Sequence, residues 1–188
     1  MNAAPFAVAV DTREQLPFHF RDMRIDRRRA FVLTQKTTLS TGDYSIIGFE
    51  NKICVERKSL EDLYNTLGNG RERFIRELER MQSFEAAMVV IEASWDEIMK
   101  PTSTRPLWHS QMYPSSVIGS MVAFAERYSV HWKPAGNRKK AEQETFNFLM
   151  KFWQNTITPE NNNVKDENNT VNGTGNPANE QRKQAKSA

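Results

Sequence analysis

The chain is expected to fold as an α/β protein, a mixed central sheet flanked by helices. Three observations predict this. Short apolar runs of strand length recur along the chain, and longer segments with apolar residues three and four apart lie between them. One run, residues 88–91, is apolar throughout, as in a strand buried on both faces. Helices inserted between short strands, with no internal repeat, suggest layers around one sheet.

The elements follow in order. Residues 6–10 form a strand that ends at Asp11, and residues 30–34 form a second. Residues 44–47 begin a third after a turn at Gly42 and Asp43. Residues 52–58 form a fourth, apolar in its middle and charged at its end. Ser59 is a candidate N-cap for a helix with Leu60, Leu63, Tyr64 and Leu67 on one face, stopped by Gly68 and Gly70. Residues 71–84 form a second helix, with Phe74, Ile75, Leu78 and Met81 as its apolar stripe. After the strand at 88–91, a helix is expected over Pro114–Tyr128, a last strand at 130–133 and a last helix at 137–153. That helix carries Phe146, Leu149, Met150 and Trp153 at helical spacing, a core or dimer surface.

Composition sets the outer bounds. The 188 residues carry 26 basic and 23 acidic side chains, a formal charge of +3, which permits nucleic-acid binding without demanding it. The single cysteine, Cys54, excludes an intrachain disulfide and fits a reducing compartment as a buried small hydrophobe. No leader and no apolar run of spanning length is visible, so a soluble intracellular protein, with no membrane association, is expected in a prokaryotic cytoplasm or a eukaryotic nucleus. From residue 158 to 188 the chain is rich in asparagine and has no aromatic residue. It cannot bury enough apolar surface to offset its ordering entropy, so a domain over 1–157 and a disordered tail over 158–188 are expected.

The chemistry centres on Ile53-Cys54-Val55-Glu56-Arg57-Lys58. Strand alternation puts Cys54, Glu56 and Lys58 on one face, and Ile53, Val55 and Arg57 on the other. If the strand at 44–47 pairs with it as a hairpin, Asp43 lies at the open end near Glu56, and Asp11 can reach the same edge. Two or three carboxylates supply oxygen ligands for a hard cation, Mg²⁺ or Mn²⁺. A neighbouring lysine can orient water or stabilise charge on a reacting phosphate. The three histidines form no ligand-spaced pair, which argues against zinc. Each residue also has an ordinary reading: Glu56 and Lys58 as an ion pair, Asp62 as a helix cap, Asp43 as a turn residue, Asp11 as the start of a loop.

Taken in order, these residues resemble a known family. Gly42-Asp43, then Glu56-Arg57-Lys58, then three residues and Asp62, is similar to the signature of the XPF-type nuclease domain of structure-specific endonucleases. Residues 10–14 resemble its first motif, residues 70–74 its glycine-arginine helix start, residues 89–92 its next core strand and residues 114–120 the helix after it. The resemblance covers roughly the first 155 residues. It implies a restriction-endonuclease-like fold and divalent-metal-dependent hydrolysis of branched or flapped DNA in repair or recombination. It implies Asp43 and Glu56 as main metal ligands, Asp11 as a further acidic member, Lys58 as the catalytic lysine, and Arg57 and Asp62 as the rest of the catalytic set. Arg57 points off the Glu56 face, so structure, DNA contact and a backbone contribution all stay open for it. Arg13 and Glu14 are expected to support the ligands, with Arg13 also near DNA. The tandem helix-hairpin-helix motifs that many members carry after the nuclease domain are not visible here, which leaves DNA binding to this domain, a partner subunit or a second copy.

Arg71 and Arg73, after Gly70 at a helix start, are candidate phosphate contacts. Arg24, Arg27, Arg28 and Arg29 form a denser basic cluster, a candidate non-specific phosphate clamp. Trp95, Trp108 and Trp132 are read as partly buried core rather than base-stacking platforms. The aperiodic segment 101–114, with Arg105, Trp108, His109 and Gln111, is a candidate substrate loop. Two further readings are carried: a non-catalytic DNA-binding or scaffold subunit, and a homodimer that resolves four-way junctions.

Overall fold

The computed structural model describes residues 2–101 and 112–157. The expected tail at 158–188, with Arg182, Lys183 and Lys186, and most of the expected substrate loop, with Arg105, Trp108, His109 and Gln111, lie outside the described residues. The unit Met1–Gln154 is built on a seven-stranded mixed sheet.

Its strands are β1 (Asn2–Asp11), β2 (Arg24–Ile25), β3 (Arg28–Thr37), β4 (Tyr44–Ile46), β5 (Ile53–Lys58), β6 (Ala86–Ile91) and β7 (His131–Pro134), in the order β2-β3-β1-β4-β5-β6-β7. The helices are α1 (Leu60–Leu67), α2 (Arg71–Met81), α3 (Trp95–Met99), α4 (Pro114–Tyr128) and α5 (Arg138–Ile157). β1 pairs parallel with β3 and antiparallel with β4, β4 pairs antiparallel with β5, and β5, β6 and β7 run parallel. The C-terminal ends of β1, β5 and β6 and the start of β4 therefore meet at one end of the sheet. That is the end where open α/β sheets present side chains to ligands.

Alternation sorts the side chains as the sequence predicts. Ile53 and Val55 join Phe6, Val8, Val10, Tyr44 and Ile46 in a core covered by α5 and by the segment around Phe18, Phe20 and Met23. Cys54 faces the other way, into a second core formed with Val89, Ile91 and helices α1 to α4. Tyr44 organises the first core. Its ring stacks on Phe18 at 5.0 Å, and its hydroxyl accepts the Phe18 N–H at 2.9 Å. Ser59 caps α1, its Oγ accepting the Asp62 N–H at 3.1 Å.

The structure adds two elements to those expected. α3 starts at Ser94, which forms a full capping box with Glu97. At five residues it is too short for apolar periodicity to reveal it. β2 is a two-residue strand in a hairpin with β3, with Ile25 packed against the first core. β1 also begins before the apolar run at 6–10, because pairing with β3 orders its largely exposed start. Trp132 is half-buried with its ring against Phe74 at 5.9 Å, as core packing requires, whereas Trp95 opens α3 and is 46% exposed.

Tyr44→Phe should destabilise the protein by about 1–2 kcal/mol, because the buried Phe18 N–H loses its acceptor. A lower urea midpoint at unchanged slope is the expected result.

Candidate active site

One turn brings Asp43 against β5. Gly42 has φ +77°, and an added Cβ would lie 3.1 Å from the Val55 carbonyl oxygen and 3.2 Å from the Cys54 Cβ. Only glycine lets the chain pass this close to β5. Asp43 follows at once, its N–H donating to the Val55 carbonyl and its own carbonyl accepting the Asp11 N–H, both at 2.8 Å. Asp43 Oδ2 accepts the Arg57 N–H at 2.8 Å. The expected hairpin thus sets Asp43 beside the peptide that joins Glu56 to Arg57.

Glu56 is 6% exposed and its Oε1 accepts from Lys58 Nζ at 2.5 Å. Burial holds its carboxyl well above the usual carboxylate range, and the nearby charge of Asp43 adds to this. Burial also pushes Asp43 up, to about 6. For Lys58, burial works against the charge, but Glu56 outweighs it and the ammonium is held above its ordinary value. The ammonium also lies over the Phe74 ring of α2, 5.2 Å from its centroid.

The remaining expected residues divide. Asp11 reaches the same sheet end but is 1% exposed, and both its oxygens are taken. Oδ1 accepts from the Arg13 N–H at 2.8 Å and Arg13 Nε at 2.7 Å; Oδ2 accepts from Arg13 Nη2 at 3.0 Å and the Leu39 N–H at 2.8 Å. Burial opposes its charge, but these hydrogen bonds win and hold its pKa below normal. Asp11 therefore fastens Arg13, whose guanidinium is largely exposed. Asp62 is exposed at the start of α1, where its Oδ2 accepts from Ser59 Oγ at 2.8 Å.

Arg57 turns to the opposite side of β5. It is only 12% exposed; its Nε and Nη2 donate to Glu14 at 3.1 and 3.2 Å, and Nη1 donates to Glu92 at 3.1 Å. Arg138 of α5 donates to the same Glu92 oxygen at 2.7 Å. Arg71 is committed as well: it donates to Ser120 at 2.9 Å and lies over the Phe124 ring. Arg73 is exposed and lines a polar groove with Asp62, Asn65 and Asn69.

Glu92, Arg138 and Glu77 are not among the site residues that the sequence suggests. Glu92 had a signal, since it directly follows the apolar run that becomes β6. Glu77 lies on α2 one turn beyond Phe74, and its charge is felt at Glu56, Lys58 and Arg13. Arg138 gives no local signal, because its partners are Glu92, just after β6, and the Leu16 and Pro17 carbonyls.

Among the described residues, no three His, Cys, Asp or Glu side chains gather into a metal cage. The donor chemistry fits a cation that keeps water or phosphate in its shell. Among those residues, the second oxygens of Asp43 and Glu56 have no donor, and both carboxyls sit above their ordinary range with no cation beside them other than Lys58 and Arg57. Mg²⁺ is commonly held by one or two carboxylates and substrate oxygens, so two suffice.

A mixed sheet with acidic residues and a lysine at one end is the restriction-endonuclease-like arrangement. Within that class the chain belongs to the ERCC4 domain family, whose model matches residues 10–152. The fold is similar to that of XPF from Aeropyrum pernix: TM-score 0.52, 16% identity, covering 86% of this chain and 69% of that one. It is also similar to XPF from Aeropyrum pernix in complex with DNA: TM-score 0.55, 19% identity, covering 82% and 74%. Nothing among curated proteins matches the sequence. No helix among the described residues is long and apolar enough to cross a membrane.

Asp43 carries a pKa raised in the fold, so the stability tied to its neutral form is present below about pH 4 and lost as pH rises through about 6. Asp43→Asn should therefore stabilise the metal-free protein at pH 7, by on the order of 1–2 kcal/mol, and change little at pH 4. Thermal melts in EDTA at the two pH values check this; equal shifts at both would contradict it.

Proposed function

We propose that the protein is a divalent-metal-dependent DNA endonuclease that cuts branched or flapped DNA in repair or recombination. The observation that carries this reading is the meeting of Asp43, Glu56 and Lys58 at one end of the sheet in a member of the ERCC4 domain family. The similar XPF from Aeropyrum pernix is described in complex with DNA, which supports DNA as the partner here.

In this reading Asp43 and Glu56 hold Mg²⁺ or Mn²⁺, with Asp11 a member of the site that acts by fixing Arg13. The metal supplies Lewis-acid polarisation of the phosphate and a lowered pKa for bound water. Lys58, held charged by Glu56, donates to a phosphate oxygen and offsets charge as the phosphorus centre becomes pentacoordinate. Arg13 presents its remaining donor, Nη1, to the DNA backbone. Arg73 contacts a phosphate near the start of α2, while Arg71 positions that helix against α4. Arg57 holds Asp43 through its backbone and the sheet end through its side chain, and Asp62 orients the capping Ser59 hydroxyl at the start of α1. Pairing with a partner subunit or a second copy belongs to the same proposal. The exposed Val122 and Trp95, beside a groove of about 590 Å³ also lined by Met121 and Trp132, offer an apolar face for it.

The test is cleavage of labelled single strand, duplex, 5′ flap, 3′ flap, fork and four-way junction with Mg²⁺, Mn²⁺ or EDTA. Metal-dependent cutting of a branched substrate is expected, with a loss of about 10²–10³-fold or more in Glu56→Gln and Lys58→Met and little change in DNA affinity. Undiminished cutting by Glu56→Gln would remove the site assignment. Tight binding without cutting by the unaltered protein would instead support a non-catalytic DNA-binding subunit. Arg73→Ala should lower the salt slope of DNA binding by about 1, measured by anisotropy.

A further inference from the structure

The arginine cluster lies far from the carboxylates. β3 runs parallel to β1, with Thr37 beside Asp11 at one end and Ala30 beside Asn2 at the other. At about 3.3 Å per residue, the start of β3 is ~30 Å from Asp11. Residues 21–29 hold five arginines against two aspartates. Among the described residues only Arg29 of these has an ion-pair partner, Asp22 at 2.7 Å. The β2–β3 turn is made by Asp26 and Arg27, with φ +50° and +65°. Such two-residue turns favour Asn-Gly, and a side chain larger than Asn or Asp there costs about 1–2 kcal/mol. The hairpin tip thus keeps an arginine where glycine would relieve strain.

Beside this corner the sheet ends in an open edge. β2 pairs only with Arg28 and Arg29, and the Ala30 N–H donates to the Met23 carbonyl. Strand alternation then turns the N–H and C=O of Val32 and Thr34 to the same outer side. Among the described residues no strand pairs with them there. Phe31 and Leu33, 57% and 59% exposed, stand along this edge. A groove of about 570 Å³ follows residues 29–34, with His19 and Arg21 on its far wall. Natural sheets rarely leave an apolar edge this bare.

We propose that the edge of β3 receives an extended acidic segment of a protein partner as an added strand. Val32 and Thr34 supply main-chain hydrogen bonds, Phe31 and Leu33 pack against alternate apolar side chains, and Arg21, Arg24, Arg27 and Arg28 meet its carboxylates. Duplex DNA would use the arginines but neither the strand edge nor the apolar pair. A second copy is a poor occupant, since β3 itself carries two arginines, one lysine and no acid.

The test uses the full chain and fluorescence anisotropy with a short labelled peptide of alternating glutamate and valine. It should bind at least about tenfold more tightly than the alternating lysine-valine peptide. Leu33→Lys and Arg27→Gly should each weaken binding several-fold, while thermal melts show both folded and Arg27→Gly the more stable. Equal binding of the two peptides, or unchanged binding in both variants, would overturn the proposal. Two other outcomes would also overturn it. Duplex DNA binding lost in Arg27→Gly but kept in Leu33→Lys would assign the corner to DNA. Self-association in sedimentation, lost in Leu33→Lys, would assign the edge to a second copy.

Discussion

Arg57 is the point on which the acidic end of the sheet depends. Its main-chain N–H holds Asp43, and its guanidinium draws together Glu14 from the loop after β1 and Glu92 from the end of β6. Arg138 then ties Glu92 to α5 and to the Leu16 and Pro17 carbonyls. Such a partly buried network gains little net free energy, because desolvation offsets most of its Coulombic attraction. Its effect is geometric. Segments far apart in sequence converge on one residue, so the position of Asp43 relative to Glu56 is set by more than a single hairpin.

The two faces of β5 carry different duties as a result. Glu56 and Lys58 look toward α2, where Phe74 and Glu77 shape their surroundings. Arg57 looks toward Glu14, Glu92 and α5. A strand separates its side chains this way by geometry alone, so three consecutive charged residues serve two environments. The separation leaves the Glu56 side with uncommitted oxygen, while the Arg57 guanidinium is engaged by two carboxylates.

Much of this was legible from local pattern. The faces of β5, the hairpin that brings Asp43 to it, and the Ser59 cap follow from alternation, turn chemistry and capping rules. The commitments of individual arginines were not legible. Arg71 and Arg73 look alike in sequence, yet Arg71 is held by Ser120 and Phe124 of a helix more than forty residues on, while Arg73 is exposed. Asp11 shows the same limit: its approach to the sheet end was predictable, but the donors that occupy it include Leu39, brought near only when β3 pairs with β1. β2 and α3 were too short to impose a period.

The packing of α5 bears on how the chain comes off the ribosome. Phe6, near the N-terminus, rests against Phe146 and Trp153, and Phe49 meets Phe152 and Trp153. Strand β1 is thus covered by α5, which is made long after it. Until that helix emerges, one apolar face of β1, β4 and β5 stays bare, and three parallel strand pairings must also form across long intervening segments. Folding during synthesis is therefore back-loaded, and a chain halted before α5 exposes the surface from which aggregation begins.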